Sequence, residues 1–253
     1  MKHFVLPDVQ AKPGIDFTYL TNIGKYVADK QPDVIVCIGD FADMPSLSSH
    51  DVGKKSFEGR RYKDDISASH EAMMAFLAPI CNLQARQVRD KKKMYTPRMV
   101  MTLGNHEHRI NRAVENDAKL EGVLSIDDLG YKEYGWEVYD FLDIVIIDGV
   151  AYSHYFVTGV AGRPAGSAAA QIRKTNMSCV AGHQQGLQIA NAPRADGARL
   201  TSIIAGSCYE HNEDYLGAQG NQHWRGALML HEVDNGQFDL MSLSLNYLNN
   251  RVK

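Results

Sequence analysis

Five short polar clusters follow apolar segments of this sequence, and their side chains are of the types that bind metal ions or carry protons. The clusters are Asp8 with Gln10, Asp40 with Asp43, Asn105 with His106, His154 alone, and His183 with Gln185. Carboxylate and amide oxygens together with imidazole nitrogens form a ligand set that suits Mn, Fe, Zn or Mg. One such residue after a strand is usually a turn or a helix cap, but five clusters in the same placement favour a metal site.

The central cluster lies in the stretch 103–107, directly after an apolar run. Gly104 permits a sharp turn and presents Asn105 and His106 side by side. Asn105 offers a neutral oxygen to a hard cation, and His106 offers a proton that titrates near neutral pH. The same residues also suit an ordinary helix N-terminus, with Asn105 as the N-cap and Glu107 in the first turn. The presence of the other clusters favours the interpretation in which Asn105 and His106 take part in metal binding or proton transfer.

The elements that must position these clusters alternate between strands and helices in the first half of the chain. Apolar runs at 3–6 and 32–38 predict strands, and the helical spacing at 16–30 predicts a helix between them. This βαβ unit implies a parallel pair whose site lies at the carboxyl ends of its strands. A long helix is predicted over 65–93 and another over 107–120, and Asp148-Gly149 predicts a hairpin. The later half reads mostly as hairpins, so residues 1–253 form one α+β domain.

Length and composition limit the class of protein. The chain has 253 residues, 44% of them apolar, which is enough to bury a large core. Its formal net charge of −3 provides no basic field for a large nucleic-acid footprint. The four cysteines are far apart and form no CxxC pair, which favours free thiols. The N-terminus lacks the pattern of a signal peptide and no apolar run reaches membrane-spanning length, so we expect a cytoplasmic protein without membrane partners.

A polar loop at about 44–64 is longer than a connection between elements requires. It carries His50 and a set of basic residues: Lys54, Lys55, Arg60, Arg61 and Lys63. One interpretation is a solvated surface loop. The other is a flap that brings His50 or a basic residue over an anionic substrate.

The order of the clusters resembles the calcineurin-like metallophosphoesterase superfamily. That family has D-x-H, G-D-x-x-D, G-N-H-[ED], a lone His and G-H-x-H in sequence. This chain reads Asp8-Val9-Gln10, Gly39-Asp40-Phe41-Ala42-Asp43, Gly104-Asn105-His106-Glu107, His154 and Gly182-His183-Gln184-Gln185. The resemblance covers about residues 4–210. It implies a four-layer sandwich of two facing mixed β-sheets flanked by helices, with a dinuclear metal site across the strand ends.

The resemblance also implies roles for individual residues. Asp40 would bridge two divalent metal ions. One ion would be completed by Asn105, His154 and His183, and the other by Asp8, Gln10 and Gln185. His106 would be the proton donor or charge stabiliser beside the phosphate, with Asp43 orienting its ring.

Two departures from the family pattern concern the same ion. Gln10 and Gln185 stand where the family has His. An amide oxygen is a harder and weaker ligand than imidazole, so this position should favour Mn as the expected metal, with Mg, Fe or Zn as alternatives. A retuned dinuclear site is the preferred interpretation, ahead of a mononuclear enzyme and an inactive binding domain.

The expected function is hydrolysis of a phosphomonoester or phosphodiester by in-line attack of a metal-bridging hydroxide. The alternatives are a catalytically weak or inactive metal- or phosphate-binding module and a nuclease acting on short nucleic acid, which the charge does not favour. Substrate contacts are predicted for Arg109, His223, Arg225 and His50. The substrate itself and the oligomeric state are not specified by the residues, because one fold and one metal pair serve many phosphate esters.

Overall fold

The computed structural model describes residues 1–213 and 216–251. Its strands are β1 (His3–Leu6), β2 (Val34–Cys37), β3 (Arg98–Thr102), β4 (Glu137–Tyr139), β5 (Val145–Ile147), β6 (Val150–Ser153), β7 (Val157–Thr158), β8 (Arg163–Pro164), β9 (Ser178–Ala181), β10 (Leu187–Pro193), β11 (Arg199–Ala205), β12 (Gly226–Asp234) and β13 (Gln237–Ser244). Its α-helices are α1 (Thr18–Lys30), α2 (Tyr62–Arg89), α3 (His108–Asn116), α4 (Ala168–Thr175), α5 (Gly217–Gly220) and α6 (Leu245–Asn250).

Two mixed sheets face each other and helices cover their outer sides. The first sheet has the order β13-β12-β1-β2-β3-β4, in which β1 to β4 are parallel, and the second has the order β10-β11-β9-β6-β5, in which β11, β9 and β6 are parallel. The strands β7 and β8 form a separate ribbon. This architecture confirms the α+β sandwich that the motif order predicted.

Alternating side chains in the central strands bury both faces of the first sheet. In β2, Val34 and Val36 belong to the apolar cluster shared with the second sheet. Ile35 and Cys37 belong to the cluster shared with α1 and α2. Successive side chains of a strand point to opposite faces, so a run of apolar residues is what a doubly covered strand requires. On the outer side of the second sheet, α4 packs against β9, β10 and β11.

The helices α1 and α2 cross at very short range on the first sheet. A Cβ atom added to Gly24 of α1 would lie 2.2 Å from the backbone oxygen of Phe76 and 3.1 Å from the ring of Pro79 in α2. Gly24 therefore sets the separation of the two helices. Although α2 is 28 residues long, neither it nor any other helix in the described ranges is long and apolar enough to span a membrane.

Element boundaries differ from the sequence-based expectations in two places. The helix predicted over 65–93 occupies Tyr62–Arg89, and the one predicted over 107–120 ends at Asn116. Asp117 breaks the second helix because its backbone is extended, and its side chain accepts the N–H of Lys119 to begin a 3-10 turn. The predicted hairpin at Asp148-Gly149 is confirmed, with positive φ at both residues as its tight turn requires.

The loop 44–64 is attached to α2 through Asp65. The Oδ2 atom of Asp65 accepts the backbone N–H of Ser46 at 2.9 Å, while its Oδ1 atom has no hydrogen-bond partner in the described structure. Burial raises the pKa of this carboxyl to about 6. The loop is therefore held by a carboxyl group that the protein interior prefers in its protonated form.

We expect Gly24→Ala to destabilise the protein, although alanine is the better helix former. Alanine gains about 1 kcal/mol of helix propensity, but the new Cβ forces α1 and α2 apart, which costs about 1–3 kcal/mol. Urea denaturation measures the free energy of unfolding. Lys25→Ala, at the exposed neighbouring position, is the control and should stay within about 0.5 kcal/mol of the parent protein. A gain in stability for Gly24→Ala would contradict a tight crossing.

The contribution of Asp65 to the stability of the protein should fall as the pH rises from about 4 to about 6. In that window the unfolded carboxyl is ionised, whereas the folded one retains its proton, so folding takes up a proton and weakens as the pH rises. Asp65→Asn removes this contribution. Between pH 4.5 and pH 7.5, the free energy of unfolding of the variant should rise by about 1–3 kcal/mol relative to that of the parent, as measured by urea denaturation. A difference between the two proteins that does not change with pH would show that Asp65 is ionised in the fold.

Candidate metal centre

The five polar clusters meet because parallel strands of both sheets end at the same edge. Asp8 and Gln10 follow β1, Asp40 and Asp43 follow β2, Asn105 and His106 follow β3, His154 follows β6, and His183 and Gln185 follow β9. Donor atoms of Asp40, from the first sheet, and of His154 and His183, from the second, lie within 4.8 Å of one another. The site is thus formed between the two sheets, and each sheet contributes donor atoms to it.

Backbone conformation brings the loops of the site unusually close. A Cβ atom at Gly104 would lie 2.1 Å from Oδ1 of Asp40, and one at Gly39 would lie 2.7 Å from Nδ1 of His154. Three side chains of the site also belong to residues with left-handed backbone: Gln10 at φ 48°, Asp40 at φ 50° and His183 at φ 66°. Such conformations cost free energy and cluster where function fixes the direction of a side chain.

Glu107 connects the two loops of the first sheet. Its buried carboxylate accepts the backbone N–H groups of Asp40 at 3.0 Å, Ala42 at 2.9 Å and Gly104 at 2.8 Å. Burial raises the pKa of this group, and the neighbouring charge of Asp40 adds to the effect. Glu107 therefore binds backbone N–H groups and holds the loops of Asp40 and Asn105 in register. From the sequence it is expected only as an acidic residue in the first turn of a helix.

One group of donor atoms is arranged as a cation site. The amide oxygen of Asn105 lies 2.9 Å from Nε2 of His154 and 2.8 Å from Nδ1 of His183, and Oδ2 of Asp40 lies 3.3 Å from Nε2 of His154. On its other side, Nδ1 of His154 donates to the carbonyl of Ile38 at 2.8 Å. A ring fixed by its Nδ1–H directs Nε2 at the same point as the oxygens. These residues fit a divalent metal ion.

The charges of the site are unbalanced within the protein. Burial and then the charge of Asp40 raise the pKa of Asp8 to about 7. Burial opposes the ionised form of Asp40 too, but His106 and His154 lower its pKa. Burial likewise opposes the charged ring of His154, yet Asp40 raises its pKa to about 9. Burial and the charge of His154 lower the pKa of His183 to about 4. Two buried carboxylates that repel each other are what a divalent cation stabilises.

A second group of oxygens lies beside the first. The Oδ1 and Oδ2 atoms of Asp8 accept the backbone N–H of His183 at 3.2 and 3.1 Å. Gln10 is buried, and its Oε1 atom has no hydrogen-bond partner among the described residues. Both Gln10 and Gln185 line the same cleft as Asp40. A buried amide oxygen without a partner is costly, and a cation is a partner that suits it.

His106 is held by Asp43 at the edge of this group. Its Nδ1 atom lies 2.7 Å from Oδ1 of Asp43, and its Nε2 atom lies 3.7 Å from Oδ2 of Asp40. Burial disfavours the charged ring, but Asp40 and Asp43 raise its pKa above the ordinary value. Arg109 donates through Nη1 to the carbonyl of Asp43 at 2.7 Å, and its Nη2 atom lies 3.2 Å from Nε2 of His106. The pair is therefore fixed in orientation beside the donor atoms.

A cleft of about 970 Å³ opens from these residues and runs under the loop 44–64. His50 and Arg60 line it from the loop, and Arg109 and Arg112 line it from α3. Within the loop, Asp51 accepts from Nζ of Lys54 at 2.7 Å and from Nη1 of Arg60 at 2.8 Å, so part of its basic charge is neutralised. The loop thus forms one wall of the cleft.

Two residues assigned to substrate from the sequence lie elsewhere. His223 contacts Oγ of Ser207 through Nε2 at 2.8 Å, and Arg225 donates to the carbonyl of Glu210 at 2.9 Å. Neither belongs to the lining of the cleft. Their contacts are with the segment that follows β11, so a role in substrate binding remains a prediction without a geometric basis.

Sequence reasoning overlooked several polar residues near the site. Nζ of Lys12 lies 2.7 Å from Oε1 of Glu213 and 3.8 Å from Oδ2 of Asp43, and both Lys12 and Glu213 line the cleft. Tyr209 donates its O–H to the amide oxygen of Gln185 at 3.0 Å. Tyr209 and Glu213 follow β11, which pairs in parallel with β9. The rule that flagged the other clusters, polar residues after a parallel strand, therefore applies to 206–213 as well.

Comparison with known proteins assigns the family. No curated protein matches the chain. One crystal structure aligns over 96% of this chain and 99% of its own, at 11% identity and a TM-score of 0.43, a similarity too weak to inform fold or function. The family model of the calcineurin-like phosphoesterases matches residues 1–227. With nearly the whole length matched, the chain belongs to the calcineurin-like phosphoesterase family.

Proposed function

We propose that the protein is a metal-dependent hydrolase of a phosphate ester, either a monoester or a diester. The observation that carries this proposal is the convergence of Asp40, His154 and His183 within 4.8 Å, at the end of a cleft that also contains the His106–Asp43 pair. A metal-binding module has no use for an oriented imidazole that is not a ligand. The pair therefore favours an enzyme over a binding module.

Two divalent ions would be held by these residues, with Asp40 common to both. Asn105, His154 and His183 would complete one position, and Asp8, Gln10 and Gln185 would complete the other. The oxygen-rich composition of the second set favours Mn²⁺ or Mg²⁺ over Zn²⁺. Two such ions with two carboxylates leave a net charge of about +2, which suits a phosphate group.

When bound, the ions supply a water that ionises near neutral pH and positive charge opposite the phosphate oxygens. The protein's own part is to orient the ester and to handle the proton of the leaving group. Burial opposes the charged ring of His106, but Asp40 and Asp43 raise its pKa, and we assign to this ring the donation of that proton. Asp43 fixes the ring through its contact with Nδ1 at 2.7 Å. Lys12 and Arg109 add positive charge beside this pair.

The cleft favours a small phosphate ester over a long nucleic acid. Its volume of about 970 Å³ accommodates a nucleotide-sized group. Its lining carries both signs of charge, since Glu58, Asp64 and Glu213 accompany the arginines. A nucleic-acid channel is normally basic along its length, because the phosphate backbone supplies most of the affinity. A short strand remains the alternative substrate.

Activity should require added metal and the shared carboxylate. Metal-stripped protein should hydrolyse p-nitrophenyl phosphate or bis(p-nitrophenyl) phosphate after addition of Mn²⁺, less with Mg²⁺ and least with Zn²⁺. Asp40→Asn should reduce kcat/KM at least about 100-fold, because it removes the charge that both ions share. The control is Asp239→Asn, an exposed carboxylate on β13 that should leave the activity unchanged. Stoichiometric metal uptake without turnover of either ester would contradict the hydrolase.

Removal of His106 should separate catalysis from metal binding. His106→Ala should lower kcat by a factor of about 10²–10⁴, the usual contribution of a positioned general acid. The variant should still take up metal ions with the stoichiometry of the parent protein, measured by calorimetric titration with Mn²⁺, because His106 is not among the proposed ligands. Full activity of the variant would exclude His106 as the proton donor. A loss of bound metal would instead identify His106 as a ligand.

A further inference from the structure

We propose that Tyr209 is a positioning residue for the second metal ion, because its hydroxyl holds the amide oxygen of Gln185 as a hard ligand. This inference rests on the proposed metal-dependent function. It concerns a residue outside the motifs of the family resemblance and offers a physical role for the two glutamines of this chain.

Tyr209 contacts the amide of Gln185 at its oxygen. The phenol O–H donates to Oε1 of Gln185 at 3.0 Å. A carboxamide oxygen has two lone pairs. One accepts the phenol proton and the second stays available for a cation. Without the phenol, the amide of Gln185 could rotate and present its NH₂ group, which cannot bind a metal ion.

Tyr209 is itself fixed from three sides. The ring of His211 stacks on it at 4.6 Å between centroids, and the guanidinium of Arg225 lies 4.8 Å from its centroid. The ring of His223 meets it edge-on at 5.8 Å. The phenol is fully buried in this set. An aromatic ring that is enclosed in this way holds its hydroxyl at one point, as a metal ligand requires of its support.

The residues around Tyr209 are anchored in turn. Nε2 of His211 lies 2.7 Å from Oε1 of Glu213, Nε2 of His223 lies 2.8 Å from Oγ of Ser207, and Arg225 donates to the carbonyl of Glu210 at 2.9 Å. His223 and Arg225, which resemble substrate ligands in the sequence, therefore serve as the frame of Tyr209. Their absence from the lining of the cleft agrees with this role.

The two glutamines differ in the hydrogen-bond partner of the amide oxygen. Gln10 is buried with Oε1 lacking a partner in the described structure, whereas Gln185 has Tyr209. A buried amide oxygen without a partner is destabilising until a ligand reaches it. Gln10 and Gln185 line the same cleft, and each amide offers an oxygen that suits a hard cation.

The test is the affinity of the metal-free protein for Mn²⁺, measured by paramagnetic resonance of the free ion and by calorimetry. The parent should bind two ions of different affinity. Tyr209→Phe should keep the tighter ion unchanged and weaken the second about 10–100-fold, the usual effect of removing a hydrogen bond to a ligand. Tyr155→Phe is the matched control, because its ring lies 4.8 Å from that of His183 while its hydroxyl donates to the carbonyl of Gly162.

A second pair of variants tests whether Tyr209 acts through Gln185. Gln185→His should raise the affinity of the second position for Zn²⁺ relative to Mn²⁺, because it replaces a hard oxygen with an imidazole nitrogen. In that background, Tyr209→Phe should change the Mn²⁺ affinity less than 3-fold. An equal loss in both backgrounds would show that Tyr209 acts through the fold and would overturn the inference.

Three other outcomes would also overturn it: no change in Tyr209→Phe, equal weakening of both ions, or tighter binding of the second ion, which would mean that Tyr209 holds the oxygen away from the metal. The metal titration requires no turnover. If both esters resist hydrolysis while Tyr209→Phe still weakens only the second ion, the proposed function fails and the inference holds. If the parent hydrolyses an ester with a single bound ion, the inference fails and the function holds.

Discussion

The geometry of the whole site depends on one buried carboxylate that accepts hydrogen bonds from backbone N–H groups. Glu107 accepts three N–H groups from the loops that follow β2 and β3. Those loops carry Asp40 and Asn105, and they approach so closely that glycine is required at 39 and 104. These N–H groups lie beyond the ends of the strands, and the carboxylate of Glu107 satisfies them. The geometry of the ligands follows from this contact.

The electrostatics of the site follow from the same packing. Because the loops exclude water, Asp8 and Asp40 are buried together, and the pKa of Asp8 rises to about 7. The protein offsets part of this charge with His106 and His154. A site of this kind is stable only with its metal or with extra protons, so metal affinity and protonation are linked there.

Much of the fold and the core of the site could be predicted because they depend on local patterns. Apolar runs that end in Asp, Asn or His marked the strands β1, β2, β3, β6 and β9 and their exit loops. The role of Glu107 could not be read in the same way, because its contacts with Asp40 and Ala42 join residues more than 60 positions apart. A pattern within a few residues describes only the helix that Glu107 precedes.

The segment after β11 was overlooked for a different reason. Its residues, Tyr209 and Glu213, carry no recognisable motif, and they reach the site only because β11 pairs with β9. His223 and Arg225 had the composition of substrate ligands, yet their side chains turn to Tyr209. The type of a residue indicates what its side chain can bind, but the pairing of the neighbouring strand determines which residues that side chain contacts. In this protein two amides stand where the family has imidazoles, and this makes the neighbouring strand important. An amide ends in both an oxygen and an NH₂ group, and a contact from another residue determines which of them faces a ligand.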